Sequence, residues 1–191
     1  MTQQIFIRGY QALRARNAAV LCLSAALLCA SVCPASAENS ASEYAVKAAY
    51  LYQFGKFVEW PAQHASGDLF SICTMGDDPF GPVLDQIIAG RTVQGMHATA
   101  RRLGDTTEVG QCDILFISRS ESGRLAEVLE KVQGKRILTV GDSVNFLSSG
   151  GMINFEIERN KVRFDISLHA LESVGLRVSS QLLKVARTVQ R

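Results

Sequence analysis

CDILFISRSESGRLAEVLEKVQGKRILTV, residues 112–140, decides the fold class. Cys112 to Ser118 is a short apolar run bounded by polar residues, the pattern of a strand buried on both faces. Leu125, Val128, Leu129 and Val132 then recur at helical spacing, with Ser120 or Ser122 as the expected cap and Gly134 as the stop. Arg136 to Val140 is a second short apolar run. Strand, helix, strand in this order predicts a right-handed crossover and a mainly parallel sheet covered by helices.

Upstream, Leu69 to Thr74 reads as another buried strand. The spacing predicts a helix over Phe80–Ile88, with Asp78 as N-cap and Gly90 as stop, and an edge strand over Met96–Leu103, where Arg101 and Arg102 suit an edge. A first helix over Ser42–Phe57, capped by Ser42 and ended by Trp60-Pro61, precedes them. Downstream, residues 152–157 face residues 162–166 across Arg159-Asn160. That is a hairpin, expected as an antiparallel edge on the sheet. Leu168–Ser173 and Ser179–Val189 read as helices separated by Gly175. The expected fold is α/β: a single domain with a mainly parallel central sheet flanked by helices and a C-terminal antiparallel hairpin on one edge.

Residues 1–37 carry the three parts of a cleavable export signal: Arg8, Arg14 and Arg16 without an acid, an apolar run from Ala18 to Cys33, and Ala35-Ser36-Ala37 before Glu38. The run is shorter than the roughly 20 residues of a membrane span. Residues 38–191 are then the mature domain, expected in the periplasm. Losing three arginines takes the 20 basic residues to 17 against 18 acids, so no basic surface for nucleic acid survives. Of the five cysteines, Cys22, Cys29 and Cys33 leave with the leader. Cys73 and Cys112 remain and allow one pairing in an oxidising compartment, two buried free thiols being the alternative.

Catalytic and metal motifs are not evident. His64, His97 and His169 lack zinc-site spacing, Cys73 and Cys112 lack the C-x-x-C spacing of a thiol oxidoreductase, and no G-x-S-x-G elbow or phosphate loop occurs. No cofactor and no metal is expected. Asp77, Asp78 and Asp142 follow strands and would meet at the carboxyl edge of the sheet if they faced one ligand. Turn and cap positions are their plainer reading, and a small-ligand receptor is the alternative they support. The aromatic concentration Tyr44, Tyr50, Tyr52, Phe54, Phe57 and Trp60 is too apolar all round for one contact face. Part is expected in the core, and part, with Tyr52, Phe57 and Trp60 as candidates, on a partner or a second copy.

KAAYLYQFGKFVEWP, residues 47–61, and GGMINF, residues 150–155, running through KVRFDI, residues 161–166, to Leu176, Ser179, Ser180, Leu182 and Leu183, resemble the signatures of the YfiR-like periplasmic family. The resemblance implies a regulator without enzymatic activity. Such a regulator binds the periplasmic sensor region of an inner-membrane diguanylate cyclase, represses cyclic di-GMP synthesis and so affects biofilm formation. It further implies capture by an OmpA-like outer-membrane lipoprotein, a homodimer, a disulfide where Cys73 and Cys112 stand, and a small-ligand site near Arg177, whose guanidinium pairs a carboxylate bidentately. The second cysteine pair of some relatives is missing, because residues 146–149 and Asn154 contain none, so redox switching through it does not carry over.

Overall fold

The computed structural model describes residues 35–60 and 68–191. The expected leader lies outside them apart from its last three residues, and so do Pro61 and His64. Asn39–Arg191 makes one compact unit, described here.

The first described element is helix α1 (Ala35–Phe57). Ser42 lies inside α1 and does not cap it, because the helical backbone continues upstream to Ala35. The helix ends at Phe57, ahead of Trp60. Val58 and Glu59 are already extended as β1 (Val58–Glu59), which pairs antiparallel with β9 (Arg177–Val178).

The main sheet has eight strands. Three are the apolar runs of the sequence, β2 (Leu69–Met75), β5 (Ile114–Ile117) and β6 (Leu138–Gly141), and a fourth is the strand read as an edge, β4 (Met96–Leu103), all mutually parallel across β4-β2-β5-β6. Two further strands, β7 (Ile153–Glu158) and β8 (Lys161–Ser167), form the antiparallel hairpin, closed by Arg159 and Asn160 with φ of 51° and 60°. Two successive residues at positive φ make the type I′ turn whose twist suits a two-residue hairpin. The hairpin joins the sheet through β6 and β7, which are parallel.

The C-terminal end departs from expectation. The helix read over Ser179–Val189 stops at Val185, leaving α5 (Ser180–Val185), and Thr188–Gln190 becomes β10, parallel to Asp165–Ser167 of β8. The hairpin lies at one side of the sheet as expected, with the three-residue β10 added outside Asp165–Ser167 of β8. The cause is side-chain chemistry beyond the helix: Arg187 forks onto the Asp165 carboxylate, and its N–H donates to Phe164 O at 2.8 Å. At the other end, the two-residue β3 (Thr92–Val93) outflanks β4 in the same way.

Two apolar layers sandwich the sheet. One gathers α1, α2 (Pro82–Ile88), α4 (Leu168–Ser173) and α5 against Phe70, Ile72, Phe116, Val140, Phe155 and Phe164. The other gathers α3 (Leu125–Val132) against Cys73, Met75, Leu115 and Ile117. Neither expected serine caps α3. A 3₁₀ segment, Arg119–Arg124, intervenes; Ser122 Oγ donates to Arg119 O, and Ser120 Oγ accepts from Asp77 N. Asp78 likewise makes a local turn, accepting from Phe80 N at 2.9 Å, and α2 starts later, at Pro82. The Gly141–Gly151 connection is pinned by Phe146, which is fully buried. A Cβ built on Gly141 or on Gly151 would fall inside its ring, so both positions need glycine for close approach.

Candidate functional site

A lysine in the middle of an apolar helix sets the polar centre of the molecule. Lys47 lies on the face of α1 turned to the sheet, and its side chain is 1% exposed. Its Nζ sits 2.7 Å from Asp142 Oδ2 and 2.6 Å from Glu43 Oε1, one helical turn back. Asp142 follows β6 at the carboxyl edge and its side chain is also 1% exposed. Tyr44 donates its hydroxyl to the same carboxylate at 2.9 Å, and the Arg119 guanidinium reaches it at 3.4 Å from the end of β5. The Lys47 ammonium lies 4.3 Å from the centre of the Tyr44 ring, a cation–π contact.

Each part follows from local sequence. Glu43 and Lys47 are at i,i+4 on one helix face, and the tight turn after β6 aims Asp142 back at the helix. Burial, with the Asp142 charge next to it, pushes the Tyr44 hydroxyl up to about 12. It stays a donor over the whole physiological range. Asp142 Oδ1 has no hydrogen-bond partner among the described residues. Every other charged atom here is answered by an opposite charge, so the cluster is built as a clamp between α1 and the sheet edge, with no free nucleophile and base side by side.

The three acids expected at the carboxyl edge do not share a ligand. Asp78 is taken by Arg102, at 2.8 Å, and the same guanidinium holds Asp85 at 2.5 Å and Gly81 O at 2.7 Å. That pairing lowers the Asp85 carboxyl below its ordinary range. Asp77 donates its N–H to Ser120 Oγ. Asp142 belongs to Lys47. Among the described residues no group of three or more His, Cys, Asp or Glu stands ready to hold a metal ion.

The aromatic residues divide differently from the expectation. Tyr50 and Phe54 stack on each other and on the hairpin's Phe155 and Phe164, with centroids 5.1–6.1 Å apart. Tyr52 and Trp60, expected as contact residues, are both buried. The Tyr52 hydroxyl donates to Thr92 O, and Trp60 packs edge-on against Phe70 at 5.2 Å. Phe57 alone of the three is half-buried. Its carbonyl accepts from Ser179 N at 2.9 Å, which sets it beside the β1–β9 ribbon.

Arg177 is exposed on that ribbon. It borders a cleft of about 540 Å³ whose walls include Leu168, Leu171, Glu172, Leu176 and Leu183. The cleft combines aliphatic side chains with one cation, Arg177, and one carboxylate, Glu172. Cys73, in β2, and Cys112, just before β5, are joined by a disulfide with Cα atoms 5.8 Å apart, and both are buried in the α3 layer.

Lys47, Tyr44 and Arg119 were not among the residues sequence reasoning selected for the polar centre. The signal for Lys47 was present: a cation flanked by Ala45, Val46, Ala48 and Ala49, with Glu43 one helical turn upstream, is placed to be buried and paired.

Among solved structures, the chain is similar to a conserved domain protein from Vibrio cholerae O1 biovar El Tor, at 9% identity and a TM-score of 0.48. It is also similar to the ABC domain in complex with L-Trp from Streptococcus pneumonia, at 10% identity and a TM-score of 0.47. Each alignment covers 63% of this chain, and the chain spans 54% and 55% of those proteins, about half their length. The family comparison reaches further along the sequence, taking in α1 from Tyr44 onward, every strand of the main sheet except β10, and Tyr44, Lys47, Arg119 and Asp142 of the ion-pair clamp. Matched by the YfiR/HmsC-like family model from residue 44 to residue 187, the chain belongs to that family.

Proposed function

We propose that the protein is a periplasmic repressor of a membrane-bound diguanylate cyclase. In this reading the leader is removed after Ala37, and residues 38–191 form a single domain that binds the cyclase's periplasmic sensor region and holds the enzyme off. Release raises cyclic di-GMP and favours biofilm. The single observation that carries the reading is the family match over residues 44–187. The polar clusters are consistent with it, since Lys47–Asp142 and Arg102–Asp78–Asp85 are spent on holding elements together.

Repression then works by occupancy: the bound form stabilises the inactive cyclase by its greater affinity for that state. The contact surface is the exit of α1, where half-buried Phe57 and exposed Arg177 stand at opposite ends of the β1–β9 ribbon, with the cleft next to Arg177. Tyr52 and Trp60 support that ribbon from within. An OmpA-like outer-membrane lipoprotein competes for the protein, and a homodimer is its free form.

The test is binding of the purified protein to the cyclase's isolated periplasmic region, paired with cellular cyclic di-GMP in a deletion strain. Binding at micromolar concentration that Phe57→Ala or Arg177→Ala weakens, together with a rise in cyclic di-GMP on deletion that complementation reverses, is the expected outcome. Absence of binding by both the oxidised and the reduced protein ends the proposal.

A further inference from the structure

Two cations converge on one aromatic ring near the end of α1. Lys56 lies in the last turn of that helix, and Arg91 follows α2 across Gly90, whose φ of 68° stops the helix in the left-handed region. The Lys56 ammonium stands 5.8 Å from the centre of the Tyr52 ring, and the Arg91 guanidinium carbon stands 5.0 Å from it. Both distances are within cation–π range, and the two charges are no further apart than their sum. Tyr52 is buried and its hydroxyl donates to Thr92 O, so the ring is a fixed platform. Arg91 is held at both of its backbone groups: its N–H donates to Ile88 O at 2.9 Å, and its carbonyl accepts from Ala98 N at 3.0 Å.

Lys56 and Arg91 are both exposed, and among the described residues no carboxylate forms an ion pair with either. The sequence shows why. No acid occurs between Glu43 and Glu59, and none between Asp85 and Asp105. The bordering acids face other cations: Glu59 stands opposite Arg177 on the ribbon, and Asp85 is held by Arg102. The carbonyl end of a helix favours a cation, which accounts for Lys56 and for Arg91 singly. It does not account for both over one ring, where like charges repel and no acid offsets them. An arriving anion relieves that repulsion.

Shape and chemistry select the anion. Neither residue lines the cleft beside Arg177, the groove at the hairpin tip or the hollow between α3 and α4. A small anion would therefore be held in the open by screened charge alone. A protein segment brings several carboxylates on one chain, and ordering that chain once brings all of them to the surface. The Arg91 fork matches one carboxylate bidentately, and the Lys56 ammonium takes a second as a point charge.

We infer that Lys56 and Arg91, set on the Tyr52 ring, form a docking surface for an acidic segment of another protein. The surface stands on this charge arrangement and depends neither on the cyclase reading nor on the contact of Phe57 and Arg177.

The probe is a blocked hexaglutamate peptide titrated at low salt into the isotope-labelled protein, with inorganic phosphate and a blocked hexalysine peptide as comparisons. The glutamate peptide is expected to shift the Tyr52, Lys56 and Arg91 signals most. The internal control is Lys131, Lys135 and Arg136, three exposed cations close in sequence, with Glu127 and Glu130 on the helix that carries Lys131; their signals should move less. Phosphate should bind more weakly than the glutamate peptide, and hexalysine should leave the patch unmoved. Lys56→Gln and Arg91→Gln should each weaken binding about twofold to fivefold, and added salt should weaken it further. Reversing both charges, Lys56→Glu with Arg91→Glu, should abolish binding, while an unchanged spectrum away from the patch reports an intact fold. No binding by the glutamate peptide, equal shifts at the Lys131–Arg136 group, phosphate binding as tightly as the peptide, or undiminished binding after charge reversal overturns the inference.

Discussion

Replacing Lys47 by Met removes a charge and almost no volume, so it isolates the electrostatic side of the clamp. The Met stem fills the channel that the lysine methylenes occupied, and no cavity term enters. What remains is Asp142, whose side chain is 1% exposed, supported among the described residues by the Tyr44 hydroxyl at 2.9 Å and the Arg119 guanidinium at 3.4 Å. Removing one partner of a buried pair costs about 3–5 kcal/mol, because the other charge is left uncompensated. For a chain of this length that lowers Tm by roughly 6–20 °C. Denaturant titration should show a reduced midpoint at unchanged slope.

The decisive comparison is the double variant Lys47→Met with Asp142→Leu, in which neither charge remains. It should recover much of the loss, since an apolar pair of similar size is often as stable as a buried ion pair. The cycle then gives an interaction energy of about 0.5–3 kcal/mol between the two sites. A Lys47→Met variant within about 0.5 kcal/mol of the parent, or a double variant whose loss equals the sum of the singles, would falsify the claim that this lysine is held charged and buried between two carboxylates.

Gly151→Ala should cost about 1–3 kcal/mol by overpacking against Phe146, and combination with Phe146→Leu should return part of it; calorimetry reads both, and an unchanged Tm for the single variant sinks the close-packing argument. Cys73→Ser opens a cross-link between residues 39 apart and should lower stability by about 3–4 kcal/mol in the chain-entropy account, so reductant should bring the parent down to the variant while leaving the variant unmoved. Two limbs of the pH–stability curve follow from named groups. Tyr44, raised in the fold to about 12 from 10.0, contributes stability that is complete below pH 10.0 and lost as pH climbs towards 12. Asp85, lowered in the fold from 3.8, contributes stability present above 3.8 and lost as pH falls below it. Urea midpoints across both ranges should lose the alkaline limb in Tyr44→Phe and flatten the acid limb in Arg102→Met.

The parts of the fold that were legible in the sequence are those whose signal is local. The runs at Leu69–Met75 and Ile114–Ile117 are strands because an apolar stretch that short can be buried only between two layers, and Arg159-Asn160 closes a hairpin because both residues accept positive φ. The C-terminal strand was hidden because its cause is distant: Thr188–Gln190 pairs with residues more than twenty positions earlier, held by a fork from Arg187 to Asp165. The serine caps failed for a related reason, since Ser120 and Ser122 spend their hydroxyls on Asp77 N and Arg119 O. Of the polar centre, Asp142 was visible only as one of three acids after strands. Its lysine partner stands 95 positions upstream, and no local pattern links them. The burial of Tyr52 and Trp60 was not legible, because an aromatic residue reads alike in a core and at an interface; the positions of Thr92 and Phe70 reveal it.

These placements bear on how a small regulator holds a partner. α1 is fixed to the sheet twice, by the stack of Tyr50 and Phe54 on Phe155 and Phe164 and by the Lys47 clamp nearer its start. A helix tied at two points cannot swing to meet a ligand, so a surface at its exit is carried rigidly. Rigid presentation spares the ordering cost that a mobile segment pays on binding. The clamp also couples distant parts: Asp142 ends β6, Arg119 ends β5 and Lys47 belongs to α1, so loss of one ion pair loosens three elements at the carboxyl edge together. Weakening the clamp should therefore lower affinity at the Phe57 end of the helix without altering a contact there.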